Sequence, residues 1–396
     1  MPMGLLVLLV LAAVSLALFA LSHASLHVKL HTRRARPGPT PPISVLKPLK
    51  GVDEDLYENL ASLARQDYPS FELVLGAEDP CDPALEVARQ LRSDFPRVPI
   101  QIVAGAPYFG MNPKVTNLVS LGGRAKHAHW LVSDSNVRVG PRYLCELASE
   151  LADPAVGLVH SLIAGTGDAT LGARCENLHL NSFIAPGVAG AERVAGIPTV
   201  IGKSMLFRRA DLEALGGFAR VRDVLAEDYV LGRAFEADGW TVALSPHPVQ
   251  AVNARWSLSR FIERHLRWGQ MRWQISPATF LAEPLLNPTP WLMAASALAI
   301  IHARTVPLGL AMLGLGLELT LVDAAMRALQ GRGLGLRGAA ALILKDLLVL
   351  GLWPLAMLKR TICWRGNEAR IGAGSVLRPV HPELRPRAPE PAEEAA

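Results

Sequence analysis

Two short segments carry the residue types needed to move a group from a diphosphate to a hydroxyl. The first contains the adjacent carboxylates Glu227 and Asp228, and the second contains Arg264, Arg267 and Trp268 in an Arg-x-x-Arg-Trp pattern. A carboxylate whose pKa is raised by burial or by a neighbouring acid can act as a general base toward a hydroxyl. Guanidinium groups and an indole can hold a departing diphosphate. We therefore predict the two acids as catalytic and the other three residues as donor-binding.

Each segment also has a structural interpretation. Acids in the first turn of a helix are favoured by the helix dipole, which explains Glu227 and Asp228 equally well when they are taken alone. Arg260, Arg264 and Arg267 share one helix face by their spacing, and a basic face is typical of an amphipathic helix on anionic lipid. This helix directly precedes apolar segments, so it can fill both roles.

Three lysines lie where strands end or helices begin, which are common places for phosphate binding. Lys47 and Lys50 come at the exit of the first predicted strand, and Lys114 follows Asn112-Pro113 at the start of a helix. An ammonium acts as a point charge for phosphate, and a helix N-terminus attracts anions. The alternatives are a solvated turn with two surface lysines and ordinary capping chemistry. We predict all three lysines as donor-binding residues.

Aspartates follow two further predicted strands. Asp79 can accept a hydrogen bond from a nucleotide base or ribose. Asp134, followed by Ser135 and Asn136, offers oxygen ligands that suit a hard divalent cation bound to a diphosphate. The alternatives are an Asx-turn at Asp134 and a helix cap, which we prefer for Asp82. We predict Asp79 and Asp134 as donor-binding, Asp134 as a metal ligand, and Mg²⁺ or Mn²⁺ as the cofactor.

Short apolar runs alternate with segments of helical period over residues 43–283. This alternation indicates an α/β domain with a parallel sheet, whose functional side chains follow the carboxyl ends of the strands. The predicted strands are Ile43–Leu46, Phe71–Leu75, Pro99–Val103, Trp130–Ser133, Val156–His160, Val200–Phe207 and Thr241–Leu244.

An apolar segment precedes this domain. Gly4–Leu21 has the length of a membrane span, so we predict an anchor over residues 1–24 and a basic, proline-rich linker over residues 25–42. The positive-inside rule predicts that the domain faces the cytoplasm, because basic residues follow the anchor: Arg33, Arg34 and Arg36.

Apolar segments also follow the domain. We predict membrane or interfacial helices over residues 284–375, with a hairpin around Arg304. Lys345 and Asp346 lie in the middle of the last apolar segment, where charges at bilayer depth are costly. We therefore expect an interfacial or re-entrant helix pair there, with a full span as the alternative. Residues 376–396 are rich in Pro, Glu and Ala and are predicted to be a disordered tail.

The composition agrees with this hybrid of a domain and membrane segments. Of the 396 residues, 50% are hydrophobic and 19% are charged, and the net charge is +5. The mean hydropathy is +0.25, too apolar for an ordinary soluble domain. The basic residues flank apolar runs, which favours membrane topology over nucleic-acid binding. The four cysteines are scattered, so neither a zinc site nor a disulfide framework is indicated.

The motifs occur in the order found in ceramide glucosyltransferases. They are Lys-Pro-Leu-Lys-Gly, Asn-Pro-Lys, the Asp134 turn, Gly-Leu-Val-His, Gly202-Lys-Ser-Met, Ala-Glu-Asp-Tyr and Arg-x-x-Arg-Trp. From about Ile43 to Pro284, the chain resembles a membrane-anchored glycosyltransferase of family 21, which is related to family 2. The resemblance implies a GT-A fold, a Rossmann-like architecture of nucleotide-diphospho-sugar transferases. It also implies a UDP-sugar donor, a divalent cation and inversion at the anomeric carbon.

The resemblance also implies individual roles. By position, Asp79 lies at the nucleotide, Asp134 at the metal and diphosphate, and Asp228 is the base. The Arg-x-x-Arg-Trp segment matches the family's Gln/Arg-x-x-Arg-Trp element. Two positions depart from the wider pattern. Asp134-Ser-Asn lacks the second aspartate of Asp-x-Asp, so we expect metal binding to be weaker or to use other ligands, and Arg264 replaces the more common glutamine.

The resulting hypothesis is transfer of a sugar from a UDP-sugar to the primary hydroxyl of a membrane lipid. Ceramide is the expected acceptor, and a hopanoid is the alternative. A processive polysaccharide synthase would need more spanning helices than the sequence offers. A membrane scaffold with a degenerate nucleotide-binding domain would have no need of three aspartates and two arginines. The identity of the sugar and the oligomeric state are left open.

Overall fold

The computed structural model describes residues 2–32, 38–364 and 367–380. Arg33, Arg34 and Arg36, which carry the orientation prediction, lie outside the described residues, as does most of the predicted tail, 381–396.

An eight-stranded mixed sheet forms the centre of the protein. Its strands are β1 (Ile43–Leu49), β2 (Phe71–Ala77), β3 (Ile100–Ala104), β4 (His129–Ser133), β5 (Val137–Arg138), β6 (Val156–Thr166), β7 (Ser204–Arg208) and β8 (Thr241–Val252). Their order across the sheet is β3-β2-β1-β4-β7-β6-β8-β5. The first four strands are parallel, as predicted. The parallel prediction is wrong for β7, which runs antiparallel to both β4 and β6.

The strands in the middle of the sheet are buried on both faces. Along β1, Val45 packs with Leu131 in one apolar cluster and Leu46 packs with Val132 in another. Neighbouring residues of a strand point to opposite faces, so a continuous apolar run is what a sheet covered on both sides requires.

Fourteen α-helices lie in the described residues. In chain order they are α1 (Met3–Leu30), α2 (Leu56–Ala64), α3 (Ala84–Asp94), α4 (Pro113–Gly122), α5 (Tyr143–Leu151), α6 (Leu171–His179), α7 (Ala185–Gly190), α8 (Arg209–Ala214), α9 (Glu227–Ala237), α10 (Leu258–Ile275), α11 (Pro277–Ala282), α12 (Pro288–Ile301), α13 (Thr305–Gln330) and α14 (Gly335–Leu358). We call the part from β1 through α10 the sheet domain. Helix α1 continues to Leu30, so residues 25–30, predicted as linker, are helical.

Three of these helices, α1, α13 and α14, are long and apolar enough to cross a membrane. A fourth candidate is the bent pair formed by Pro277–Leu286 and α12, with an angle of 56° between its parts. Leu5, near the start of α1, packs against α12 and α13, whereas Leu26, near its end, packs against the sheet domain. Helix α1 therefore runs toward the sheet domain.

Helix α14 differs from the others because both of its ends lie at the sheet domain. Before its start, Arg332 pairs with Asp168 at 3.1 Å. After its end, the carbonyl of Lys359 accepts a hydrogen bond from the Gln270 side chain at 2.9 Å. It is one continuous helix, so the prediction of a helix pair in this region is wrong.

The mid-helix charges of α14 face the protein. Lys345 and Asp346 pair with each other at 2.5 Å, and both are buried. Asp346 also accepts hydrogen bonds from Asn287 and Thr289. Because this pair and its hydrogen bonds are internal, a continuous helix can carry both charges without exposing them to lipid.

A small antiparallel sheet follows α14. It consists of β9 (Thr361–Trp364), β10 (Asn367–Ile371) and β11 (Leu377–Pro379), in the order β11-β10-β9. The Leu377 N–H donates to the Asp223 carbonyl at 2.7 Å, and the Leu225 N–H donates to the Ser375 carbonyl at 2.9 Å. The tail predicted to be disordered from residue 376 thus begins with an ordered strand, because these backbone groups have partners.

Candidate active site

One edge of the large sheet gathers most of the predicted residues. Strands β1, β2 and β4 are parallel, so the residues that follow them, Lys50, Asp79 and Asp134, come at the same edge. Strand β7 is antiparallel to β4 and begins there, with Ser204 paired to Ser133. The segment that precedes β7 therefore also reaches this edge.

Lys114 joins the elements that meet at this edge. Asn112 caps α4 by accepting from the Lys114 N–H at 2.9 Å, with Pro113 in the first turn. The Lys114 ammonium lies 2.9 Å from Asp134 and 2.8 Å from Glu227, and it donates to the Gly202 carbonyl at 3.1 Å. Burial alone would lower the pKa of Lys114, but the surrounding carboxylates raise it above its ordinary value. This lysine is therefore a permanent cation among the acids.

Asp228 lies in the first turn of α9, beside this cation. One of its carboxylate oxygens accepts the Gly202 N–H at 2.5 Å, and the other accepts the Tyr229 N–H at 2.8 Å. Burial and the charge of Glu227 raise the pKa of Asp228 to about 7, although Lys114 and the two N–H groups oppose the shift. A carboxylate with a pKa near neutral is suited to accept a proton from a hydroxyl.

The close approach at residue 202 requires glycine. A Cβ added to Gly202 would lie 2.9 Å from the Lys114 nitrogen and 3.0 Å from an Asp228 carboxylate oxygen. Any side chain here would therefore push Asp228 or Lys114 out of place.

Lys203 is a site residue that the sequence analysis missed. Its ammonium donates to the Asn136 side chain at 2.7 Å and lies 3.5 Å from Asp134. Burial lowers the pKa of Lys203 to about 8, with Arg264 and Lys114 contributing and Asp134 opposing. The available signal was the Gly202-Lys-Ser-Met segment, to which no chemical role had been given.

Asp134 retains a partly exposed carboxylate, with 28% of its side chain accessible. No group of three or more His, Cys, Asp or Glu side chains in the described part of the chain is placed to hold a metal ion. Mg²⁺ is usually held by one or two carboxylates together with substrate phosphates and water. The partly exposed Asp134 carboxylate fits such a cation, which would take its remaining ligands from a diphosphate and water.

The Arg-x-x-Arg-Trp segment lies on α10, and a residue that the sequence analysis missed holds it. Glu176 on α6 is fully buried, lies 3.4 Å from the Arg264 guanidinium and bonds the His265 ring at 2.9 Å. Burial alone would raise the pKa of Glu176, but Arg264 and His265 outweigh it and hold the value at about 2. The Arg264 guanidinium also lies over the rings of Trp256 and Trp268, 5.0 and 4.3 Å from their centroids.

Lys47 does not lie where it was predicted. It is inside β1 and fully buried, and its ammonium donates to the Ser133 hydroxyl and the Val137 carbonyl, both at 3.2 Å. Burial lowers the pKa of Lys47 to about 7. In this position it ties β1 to the end of β4 and to the start of β5.

Three further predicted residues are at least partly exposed. Asp79 is exposed and accepts the Cys81 N–H at 2.8 Å, while Lys50 and Arg267 are partly exposed. Asp82 accepts the N–H groups of Gly51 and Ala84, as preferred from the sequence. The structure thus brings Asp134, Lys114, Glu227 and Asp228 into contact. The catalytic and donor-binding roles of all these residues stay predictions.

A family model described as glycosyl transferase family 21 matches residues 7–377. The chain belongs to glycosyl transferase family 21. Among its relatives, ceramide glucosyltransferase 3 of Caenorhabditis elegans is 26% identical over 368 residues, covering 91% of this chain and 79% of the relative. Ceramide glucosyltransferase 1 of the same organism is 29% identical over 264 residues, covering 65% of this chain and 55% of the relative. The resemblance drawn from the motifs is confirmed.

A solved structure shows the same fold. The mannosyltransferase PcManGT from Pyrobaculum calidifontis, in complex with GDP-Man and Mn²⁺, superposes with a TM-score of 0.50 and 18% identity, covering 88% of this chain and 99% of that one. The predicted GT-A fold is confirmed, and the protein is a glycosyltransferase with helices that can span a membrane.

Proposed function

We propose that this family 21 glycosyltransferase moves a hexose, most simply glucose, from a UDP-sugar to the primary hydroxyl of ceramide. The observation that carries the proposal is the Asp228 carboxylate, whose pKa is raised to about 7 beside Lys114 and Glu227. The names of the nematode relatives support ceramide as the acceptor and glucose as the sugar.

The reaction is a single displacement with inversion. Asp228 takes the proton of the acceptor hydroxyl, and the oxygen attacks C1 of the sugar on the face opposite the diphosphate. The bond from C1 to the diphosphate oxygen breaks, and UDP leaves with the electron pair. Lys203, Arg264 and Arg267 stabilise the charge that develops on the leaving group, an effect that is strong in a site shielded from water.

A divalent cation, Mg²⁺ or Mn²⁺, is part of the proposal, with Asp134 as its protein ligand. When bound, it supplies positive charge to the diphosphate. Asp79, exposed beyond β2, is proposed to accept from the nucleotide. Lys114 holds Asp134 and Glu227 at fixed positions around the base, 2.9 and 2.8 Å from its nitrogen.

The membrane helices bring the acceptor to this site. We propose that α1, α12 and α13 anchor the protein and that the sheet domain faces the cytoplasm, as the basic residues after α1 favour. The helices hold the lipid so that its head group lies near Asp228 on the sheet domain. The two reacting groups are then already oriented, which lowers the entropic cost of bringing them together.

The test is transfer by purified protein, offered a panel of UDP-sugars with ceramide or a hopanoid as acceptor and analysed by mass spectrometry. Asp228→Asn is expected to abolish transfer while UDP-sugar binding persists. Asp238→Asn, at the exposed end of the same helix, serves as the control. Hopanoid as the only acceptor glycosylated would overturn the ceramide assignment. Near wild-type transfer by the Asp228 variant would overturn the base assignment.

A further inference from the structure

Lys203 contacts the oxygen atoms that a divalent cation at Asp134 would need. It lies in the turn before β7, and only 7% of its side chain is exposed. Its ammonium donates to the Asn136 side-chain oxygen at 2.7 Å and lies 3.5 Å from a carboxylate oxygen of Asp134. These two residues are the first and third of the Asp-x-Asn turn. One ammonium therefore lies at both positions that an Asp-x-Asp turn would offer to a metal ion.

The second carboxylate oxygen of Asp134 also faces a lysine. The Lys114 ammonium lies 2.9 Å from it, so each of the two oxygens has a positive charge beside it. Like charges repel strongly at such distances when water is largely excluded. In the arrangement that the structure shows, Asp134 therefore attracts a divalent cation much less than an unpaired aspartate would.

The two lysines are held in different ways. The Lys114 ammonium is fixed by Asp134, Glu227 and the Gly202 carbonyl. Within the part of the chain that the structure describes, the Lys203 ammonium has two partners, Asn136 and Asp134. An ammonium has three N–H donors, and the lysine side chain is flexible. Lys203 is therefore the lysine that has a donor left for a ligand and that can move away from Asp134.

A nucleotide diphosphate is a ligand that would draw Lys203 away. A lysine ammonium acts as a point charge for phosphate oxygens. When Lys203 turns to the diphosphate, it releases the Asn136 oxygen and one oxygen of Asp134. Carboxylate, amide and phosphate oxygens are the ligands that hard divalent cations prefer. The negative charge of the diphosphate also offsets the repulsion by the lysines.

We propose that Lys203 blocks the divalent cation site of the free enzyme and opens it when the diphosphate of the donor binds. The cation then binds together with the donor and not before it. Lys203 is thus a positioning residue that sets the order of binding. This inference rests on the proposed function, because it takes Asp134 as the ligand of the cation and a nucleoside diphosphate sugar as the donor.

The same contacts give a physical reason for Asn136. An aspartate at this position would add a second negative charge, which would attract a cation without any donor and would hold Lys203 more firmly. The amide oxygen of Asn136 accepts the Lys203 N–H without adding charge. The departure from Asp-x-Asp is therefore consistent with a site that obtains part of its negative charge from the donor.

The experiment measures Mn²⁺ binding to the purified full-length protein in detergent, from the electron paramagnetic resonance signal of free Mn²⁺, with and without UDP. Lys203→Met removes the charge and keeps a side chain of similar length, whereas Lys203→Arg keeps the charge. Asp134→Asn removes the proposed metal ligand. Lys126→Met is the matched control, because Lys126 is exposed and precedes β4, at the opposite edge of the sheet from Asp134. Melting temperatures confirm that each variant is folded.

In the wild type, we expect UDP to lower the Kd for Mn²⁺ about tenfold or more. Lys203→Met should bind Mn²⁺ about tenfold more tightly than the wild type without UDP, because a like charge near the site is gone. The effect of UDP on this variant should be smaller. Lys203→Arg should bind Mn²⁺ weakly without UDP, and Lys126→Met should match the wild type in both conditions.

Three results would overturn the inference while leaving Asp134 as the metal ligand. The first is a Lys203→Met variant that binds Mn²⁺ no more tightly than the wild type without UDP. The second is wild-type binding that is equally tight with and without UDP. The third is Lys203→Arg binding Mn²⁺ as tightly as Lys203→Met without UDP.

Failure of the proposed function would look different. Mn²⁺ binding in the presence of UDP that survives Asp134→Asn would overturn the ligand assignment, and the inference with it. Mn²⁺ binding that follows the expected pattern in a protein that transfers no sugar would overturn the activity and leave the role of Lys203 supported.

Discussion

If Asp228 is the base, as proposed, its ionisation sets the pH at which the enzyme works. As a base it must be deprotonated, and its pKa is raised to about 7. The rate is therefore expected to rise with pH, to reach half its plateau near pH 7, and to fall roughly tenfold per unit well below that value. Measuring kcat from pH 5 to 9 checks this. A flat profile down to pH 5 would mean that a group with an ordinary carboxylate pKa serves as the base.

Glu176 is a positioning residue for Arg264 and His265. Glu176→Gln removes the charge that neutralises a buried guanidinium, and breaking a buried pair costs about 3–5 kcal/mol. If Arg264 holds the diphosphate, the UDP-sugar KM should rise about tenfold or more while the ceramide KM stays constant.

The control for this prediction is Glu263→Gln, which alters an exposed acid next to Arg264 on the same helix. Glu176→Asp, which restores the charge, should recover part of the donor affinity. Equal changes in both KM values, or no recovery with aspartate, would indicate a purely structural role.

The sequence predicted several members of this cluster and missed others for physical reasons. Asp134 and Asp228 were found because carboxylates after strands and before helices carry a local signal. Lys203 and Glu176 were missed because their significance lies in long-range contacts, with Asp134 and with Arg264. The predicted position of Lys47, at the exit of the first strand, was wrong because β1 extends three residues beyond the predicted end at Leu46 and so includes Lys47.

At the scale of elements, the small sheet β9–β11 covers the segment that leads into Asp228. Leu377 packs with Leu225, and the backbone of residues 375–377 bonds that of residues 223–225. Leu377→Ala removes buried contacts worth roughly 2–5 kcal/mol, so the segment should loosen and kcat should fall about tenfold while Asp228 is intact. The measurement is kcat beside the melting temperature.

Arg378→Ala, the exposed neighbour of Leu377 on the same strand, is the comparison and should behave as the wild type. A Leu377 variant that keeps full kcat would show that the small sheet β9–β11 does not affect catalysis.

The elements themselves were largely predictable from sequence pattern. Seven of the eight strands in the large sheet coincide with predicted apolar runs, because buried strands need continuous apolar sequence. The two-residue β5 is too short to leave such a pattern. The reversed direction of β7 was not predicted, because direction depends on the path of the chain between strands.

At the scale of the whole molecule, the tertiary contacts and the hydropathy of the helices predict different numbers of membrane crossings. Four apolar candidates would place both termini on one side. However, α14 begins and ends at the sheet domain, and β9–β11 pack against the segment before α9. We infer that α1, the bent pair that ends in α12, and α13 cross and that α14 lies along the membrane surface.

Cysteine labelling tests this arrangement. Cys81 in the sheet domain and Cys363 on β9 are both exposed free cysteines. A membrane-impermeant maleimide should label both from the same side of sealed vesicles, and an added Arg304→Cys, between α12 and α13, only from the other side. Cys363 labelled together with Arg304→Cys would mean that α14 crosses the membrane.

The cover that β11 provides also has a consequence for biosynthesis. Residues 375–377 are translated after α14, yet they bond the segment that leads into Asp228, the proposed base, which is translated much earlier. A nascent chain can fold its sheet and expose Asp228 while this support is still missing. If Asp228 is the base, the order of synthesis delays full catalytic competence until α12, α13 and α14 have been made.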